Sequence, residues 1–334
     1  MRPLSESAVR DPVRARSIVV AGIVALAVAM GIGRFAFTPL LPLMLRDGAI
    51  DAATGAEWAA ANYGGYLIGA LTAGRMGRHL VRNLQIALIG VVLSTLLVAF
   101  IRPPFVQPPV IQAAVAGATL RFLAGVFSAW VLVLSSSWCL VELSREGTSH
   151  FGAWMYTGVG IGITLAGALA WLGGLQAAWM LWLELGLLAA IGTAFVIRTM
   201  PRANAGVALA SAPGRSDAAA GHADLVICYG TFGFGYIVPA TFLPALAREQ
   251  VSNPLVFGLT WPVFGIAAAV SVAVVARSLS SSPRRRVWGA AQAFMAIGTG
   301  LPALTQSLWS LTLSAVLVGG TMMVTTMAGL QLAR

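Results

Sequence analysis

The chain has 334 residues, of which 58% are hydrophobic and 10% charged, and its mean hydropathy is +0.84. A soluble domain carries roughly 25% charged residues, so this composition excludes an ordinary globular enzyme and points to a polytopic, all-α membrane protein. The net charge of +10 comes from arginines dispersed between apolar segments rather than gathered into one groove-sized patch, which argues against nucleic acid as a partner.

Residues 1–16 form a basic leader. The apolar run that follows is longer than the roughly 7–15 residues of a signal-peptide core, so it reads as an uncleaved first span with a cytoplasmic N-terminus. Spans are predicted at about 18–45, 57–76, 84–101, 110–140, 151–172, 176–198, 224–247, 254–276, 288–305 and 308–331. When the gaps are assigned alternately to the two sides, sixteen of the 21 arginines fall inside. Only Arg46, Arg102 and Arg248 fall outside, the asymmetry that the positive-inside rule describes. The stretch 199–223, rich in Ala, Ser, Gly and Pro, reads as a cytoplasmic linker between a six-span half, 1–198, and a second half, 224–334, with four spans.

The first span contains Gly31-Ile32-Gly33-Arg34-Phe35-Ala36-Phe37-Thr38-Pro39-Leu40-Leu41-Pro42. An arginine at the bilayer centre costs about 2.5–3.5 kcal/mol on insertion scales, glycines permit close approach of another backbone, and prolines break the ladder. Such a helix suits a cavity wall better than a lipid face. The pattern returns 202 residues later: Gly31, Gly33, Leu41, Pro42, Arg46 and Arg75 fall on Gly233, Gly235, Leu243, Pro244, Arg248 and Arg277. Six matches in one register predict two structurally repeated halves.

Arg34, Arg121 and Glu184 lie within spans at depths of about 12–17 Å, which brings the two arginines close to the midplane. Charges at that depth need partners or water and are therefore candidate substrate or ion sites. Thr38 shares a helical face with Arg34. Gly125, Ser128 and Ser135 share one with Arg121, a stripe that suggests a water-lined wall. On span two Asn62, Tyr66 and Gly69 recur at helical spacing, and Tyr236 takes the place of Arg34 in the second half. Each has a plainer alternative in interhelical packing. Glu184 is a candidate proton carrier or a locally paired carboxylate. The glycines from Gly158 to Gly167 read as a close helix contact. Cys139 and Cys228 read as packing residues. His79, His150 and His222 are scattered and fit no metal-binding spacing, and there is no phosphate-binding loop for ATP. No cofactor and no enzymatic activity are expected. The expected partners are a small-molecule substrate, protons as coupling ion, and membrane lipid.

Two six-span sets joined by a central inner loop resemble the major facilitator superfamily. Within it, Gly31 to Met44 is similar to the signature of the YbfB/YjiJ-type transporters. Arg75-Met76-Gly77-Arg78-His79 resembles the basic end of the loop motif after span two, with Gly74 at its acidic position. Arg121-Phe-Leu-Ala-Gly125 resembles the span-four motif, whose arginine is implicated in relatives in proton coupling or substrate binding. Gly158 to Gly167 resembles the antiporter motif, with Ile163 and Ala166 at its proline and glycine positions. The resemblance implies secondary transport by alternating access around a site bounded by spans one, four, seven and ten. It also implies two further spans after the tenth. The chain is therefore expected to be a fragment or a truncated product, with a non-transporting membrane protein or assembly partner as the alternative.

Overall fold

In the computed structural model, residues 12–101, 109–200, 223–250, 258–278, 283–305 and 307–332 are described. Every regular element among them is helical. The first rod is composite: α1 (Pro12–Leu26) runs into a π-helical segment (Ala27–Phe35) and then α2 (Phe37–Arg46). After it come α3 (Ala52–Met76), α4 (Leu80–Val98), α5 (Val110–Arg145), α6 (Thr157–Leu172), α7 (Ala178–Thr199), α8 (Ala223–Gln250), α9 (Thr260–Ser278), α10 (Arg284–Leu304) and α11 (Leu308–Leu332). Eight described stretches are long and apolar enough to cross a membrane, and one of them, 52–98, holds both α3 and α4. Each span predicted from the sequence overlaps one of these rods, and residues 254–257 of the eighth lie outside the described residues. Most of the predicted linker, 201–222, lies outside the described residues.

Small residues set the interhelical distances. A Cβ added at Gly125 would strike the carbonyl of Asn62, and one at Gly65 the carbonyl of Phe122, so α3 and α5 touch backbone to backbone. The glycine series of α6 is a contact on two sides. Gly158 and Gly162 lie against Ile23, Ala27 and Gly31 of the first rod, and Gly160 and Gly167 against Gly265, Ala269 and Pro262 of α9. The helix α6 is thus held between the opening rod of the first predicted half and a helix of the second. This follows the small-residue logic of helix association in lipid, where close van der Waals packing stands in for the hydrophobic effect.

Polar ties fasten the ends. Arg14 pairs with Glu142 at 3.4 Å and Glu146 at 3.1 Å, and Arg145 with Glu142 at 2.9 Å. The start of α1 and the end of α5 therefore share one end of the bundle, as the alternating topology requires. At the other end Arg46 pairs with Asp47 at 2.7 Å and donates to the carbonyls of Gly174 and Gln176, while Asp47 accepts from the Ala178 N–H at 2.6 Å. Cys139 is buried against the Ile18 carbonyl, as a packing residue should be. Cys228 is exposed on α8, which corrects its reading as a packing residue: its side chain falls on an outward face of the helix.

Candidate functional site

The first rod breaks its own ladder where the sequence places Gly31, Gly33 and Pro39. A π-helical turn widens the ring, and proline has no N–H to return, so carbonyls near the exit need donors from elsewhere. Arg121 supplies two. Its Nη1 donates to the Gly33 carbonyl and its Nη2 to the Arg34 carbonyl, both at 3.0 Å, and its guanidinium lies 5.0 Å from the ring of Phe37. Ser128, two turns along the same face of α5, donates to the Ala29 carbonyl at 2.7 Å. Asn62 donates to the carbonyl of Arg121 at 2.8 Å. The stripe read as a water-lined wall is packed instead: Arg121, Ser128 and Ser135 are all 1% exposed or less. For Arg121 and Ser128 the reason is the π-helical break, whose spare acceptors attract donors that would otherwise face water; the Ser135 hydroxyl is buried with no partner among the described residues.

With those carbonyls held from behind, the side chain of Arg34 points the other way. It is 7% exposed and borders a cavity of about 290 Å³. Its Nη2 donates to the Tyr236 hydroxyl at 3.0 Å. Its guanidinium carbon stands 3.7 Å from the centroid of Tyr66 and 5.8 Å from that of Tyr63. Cation–π contacts of this kind offset part of the loss of hydration, and more so when desolvated. The Nε of Arg34 has no partner among the described residues.

Of the residues singled out in the sequence, Arg34, Tyr66 and Tyr236 line the cavity. Arg121, Asn62 and Ser128 stand behind its wall. Thr38 is half-buried on α2 and Glu184 half-buried on α7, and neither borders the cavity. Sequence reasoning missed Tyr63, Tyr229, Phe232, Met322, Met323 and Thr326, which complete much of the lining. One signal was available. The chain has five tyrosines, and four of them border this space. Of the stripe chosen from the sequence on α3, Asn62 and Gly69 face α5 and Tyr66 alone faces the cavity. Tyr63, Leu67 and Ala70 join Tyr66 on that wall.

The walls therefore come from the first rod, α3, α5, α8 and α11. Tyr63 adds a second bridge between the predicted halves, with its hydroxyl 2.9 Å from that of Thr241 on α8. Arg34 is the one charged side chain among the cavity-lining residues described. Such a cavity can hold an anion against a fixed cation and an apolar body against rings and thioethers.

Comparison with known proteins agrees with this architecture. Residues 26–334 match the family model described as "Uncharacterised MFS-type transporter YbfB". No curated protein matches the sequence. Among solved structures, the partially occluded inward-open xylose transporter XylE from E. coli is similar with a TM-score of 0.65 at 13% identity, over 96% of this chain and 87% of that one. A D-xylose-proton symporter gives 0.58 at 14% identity, over 95% and 87%. A mutant of the nucleoside transporter NupG gives 0.62 at 13% identity, over 93% and 81%. At these identities the likeness is one of fold.

Proposed function

Because the chain belongs to the family of MFS-type transporters described by YbfB, we propose that it is a secondary active transporter that moves a small polar or anionic solute by alternating access, driven by a proton gradient. Membrane transport is the business of the family. The solute class rests on one observation: a desolvated arginine borders a cavity between the two predicted halves and is bonded to its own counterpart in the repeat. A buried guanidinium favours a negatively charged or strongly polar guest, because an unpaired ion in low dielectric is expensive.

In this reading residues 1–198 and 224–334 are the moving bodies, with 199–223 as their connection. The glycine contact of α6 with α9 is the surface on which they rock, and the Arg34–Tyr236 and Tyr63–Thr241 bonds open and re-form as they do so. Arg121 acts as a positioning residue: it holds the carbonyls of the π-helical break and so aims Arg34 at the solute. A proton drive is supported by the likeness to a D-xylose-proton symporter and by Glu184 within a span. The arginine distribution supports a bacterial inner membrane location with a cytoplasmic N-terminus.

Proteoliposomes given a labelled panel of sugars, nucleosides and carboxylates under an imposed pH gradient test this reading. The expected result is saturable uptake of an anion, above protein-free vesicles, that collapses with the gradient and is lost in Arg34→Ala. Absence of saturable flux for every solute, or equal flux in Arg34→Ala, overturns it.

A further inference from the structure

We infer that the cavity takes a monocarboxylate with a flat apolar body, of which benzoate is the simplest representative. This rests on the transporter reading and deepens it by naming the chemical class of the solute.

Charge sets the number of carboxylates. Arg34 is the single charged group on the described walls, it is 7% exposed, and its Nε lacks a partner. One carboxylate neutralises it. A second negative charge would sit in the same desolvated space with nothing opposite, and burying an unpaired ion is strongly unfavourable.

Geometry sets where that carboxylate lies. Tyr66 covers one face of the guanidinium at 3.7 Å and fixes its plane, and Tyr236 holds Nη2 at 3.0 Å. Tyr236 occupies one N–H of Nη2, and Nε is itself buried, so the other Nη N–H groups of the cavity-lining guanidinium are the donors left for a carboxylate oxygen. Tyr236 uses its oxygen to accept from Arg34, so its own proton is free to be donated to the second oxygen.

The remaining wall sets the body. Phe232 stacks on Tyr236 with centroids 5.3 Å apart and planes 30° apart, and meets Tyr229 at 5.3 Å and 58°. Met322 and Met323 add thioethers, which pack well against aromatic edges. These surfaces suit a ring or a planar chain. A sugar would need hydrogen-bonding partners around its whole rim, whereas Tyr63 already spends its hydroxyl on Thr241. The volume, about 290 Å³, is just below the range of roughly 300–1,000 Å³ for small-molecule pockets, which suits a small guest.

Titration calorimetry of the full chain in detergent at pH 7 tests the inference with benzoate, benzenesulfonate, benzyl alcohol, phthalate, xylose and uridine as probes. Benzoate should bind saturably and be displaced by benzenesulfonate. Benzyl alcohol and phthalate should bind at least tenfold more weakly, and xylose and uridine should not compete. Arg34→Gln should lose benzoate binding while Arg34→Lys, folded by thermal unfolding, retains a weakened site. The inference is overturned if benzyl alcohol or phthalate matches benzoate, if xylose or uridine displaces it, or if Arg34→Gln binds it normally. It also falls, alone, if benzoate fails to bind a protein that transports another solute in proteoliposomes. Failure both to bind benzoate and to transport any solute sinks both readings.

Discussion

Arg34 and Tyr236, 202 residues apart and at the same position of the two sequence repeats, are joined by a 3.0 Å hydrogen bond on the wall of the cavity. The register that relates Gly31 to Gly233 and Pro42 to Pro244 thus carries an arginine in one copy and a tyrosine in the other.

Tyr236→Phe keeps the ring and its stacking on Phe232 but removes the hydroxyl that accepts from Arg34. A hydrogen bond to a charged group contributes about 1.5–3 kcal/mol. Affinity for the proposed anionic solute should fall by roughly 10- to 100-fold, with little change in the unfolding temperature. A competition assay on the purified variant checks this, and unchanged affinity would remove Tyr236 from the site.

Arg121→Ala should cripple transport by another route. The carbonyls of Gly33 and Arg34 lose their donors in a buried setting, at about 1–3 kcal/mol per unsatisfied group. The variant should insert in the membrane, unfold at lower temperature and fail to transport. Arg121→Lys should rescue poorly, because an ammonium cannot reproduce the planar fork that reaches two carbonyls. Full stability of Arg121→Ala would show that the break in the first rod does not depend on it.

Glycine substitutions should split by neighbour. At Gly162 a Cβ would meet the Ala27 carbonyl and, at 2.8 Å, the Gly31 Cα, which are backbone atoms that cannot turn aside. Gly162→Val should therefore cost at least about 1–3 kcal/mol through overpacking. At Gly64, in the middle of α3, nothing lies within 4 Å. Gly64→Ala should be neutral or stabilising by about 0.4–1 kcal/mol, since alanine narrows the unfolded ensemble. Melting temperatures of the two variants in detergent decide the matter; equal values would contradict the packing described.

Asp51 caps α3, accepting from the Thr54 N–H at 2.8 Å, and this bond holds its carboxyl below the usual range. A depressed folded-state pKa gives stability that is present above the ordinary aspartate value, near about 3.9, and is lost as pH falls through the folded value. The melting temperature of Asp51→Ala should lie below wild type at pH 7, and the two should converge in strong acid. A gap that widened on acidification would contradict the cap.

The sequence by itself determined the membrane class, the placement of the rods and the family. Apolar length, arginine asymmetry and the Gly31–Pro42 motif are local or periodic properties that a bilayer reads one segment at a time. It also determined that Gly158–Gly167 is a contact, because small residues at helical spacing have few other uses in lipid. Which face of each rod meets the cavity was decided by the tertiary structure. Arg34 and Arg121 fall at the same predicted depth in their spans and carry the same charge, yet one lines the cavity and the other is spent on carbonyls behind it. That division depends on how far the π-helical break rotates the first rod and on which donors α5 brings alongside. Likewise Tyr63 and Asn62 are neighbours in the chain but face α8 and α5, respectively. One residue along a helix is about 100° of rotation, and only the packing of the surrounding helices fixes where that rotation begins.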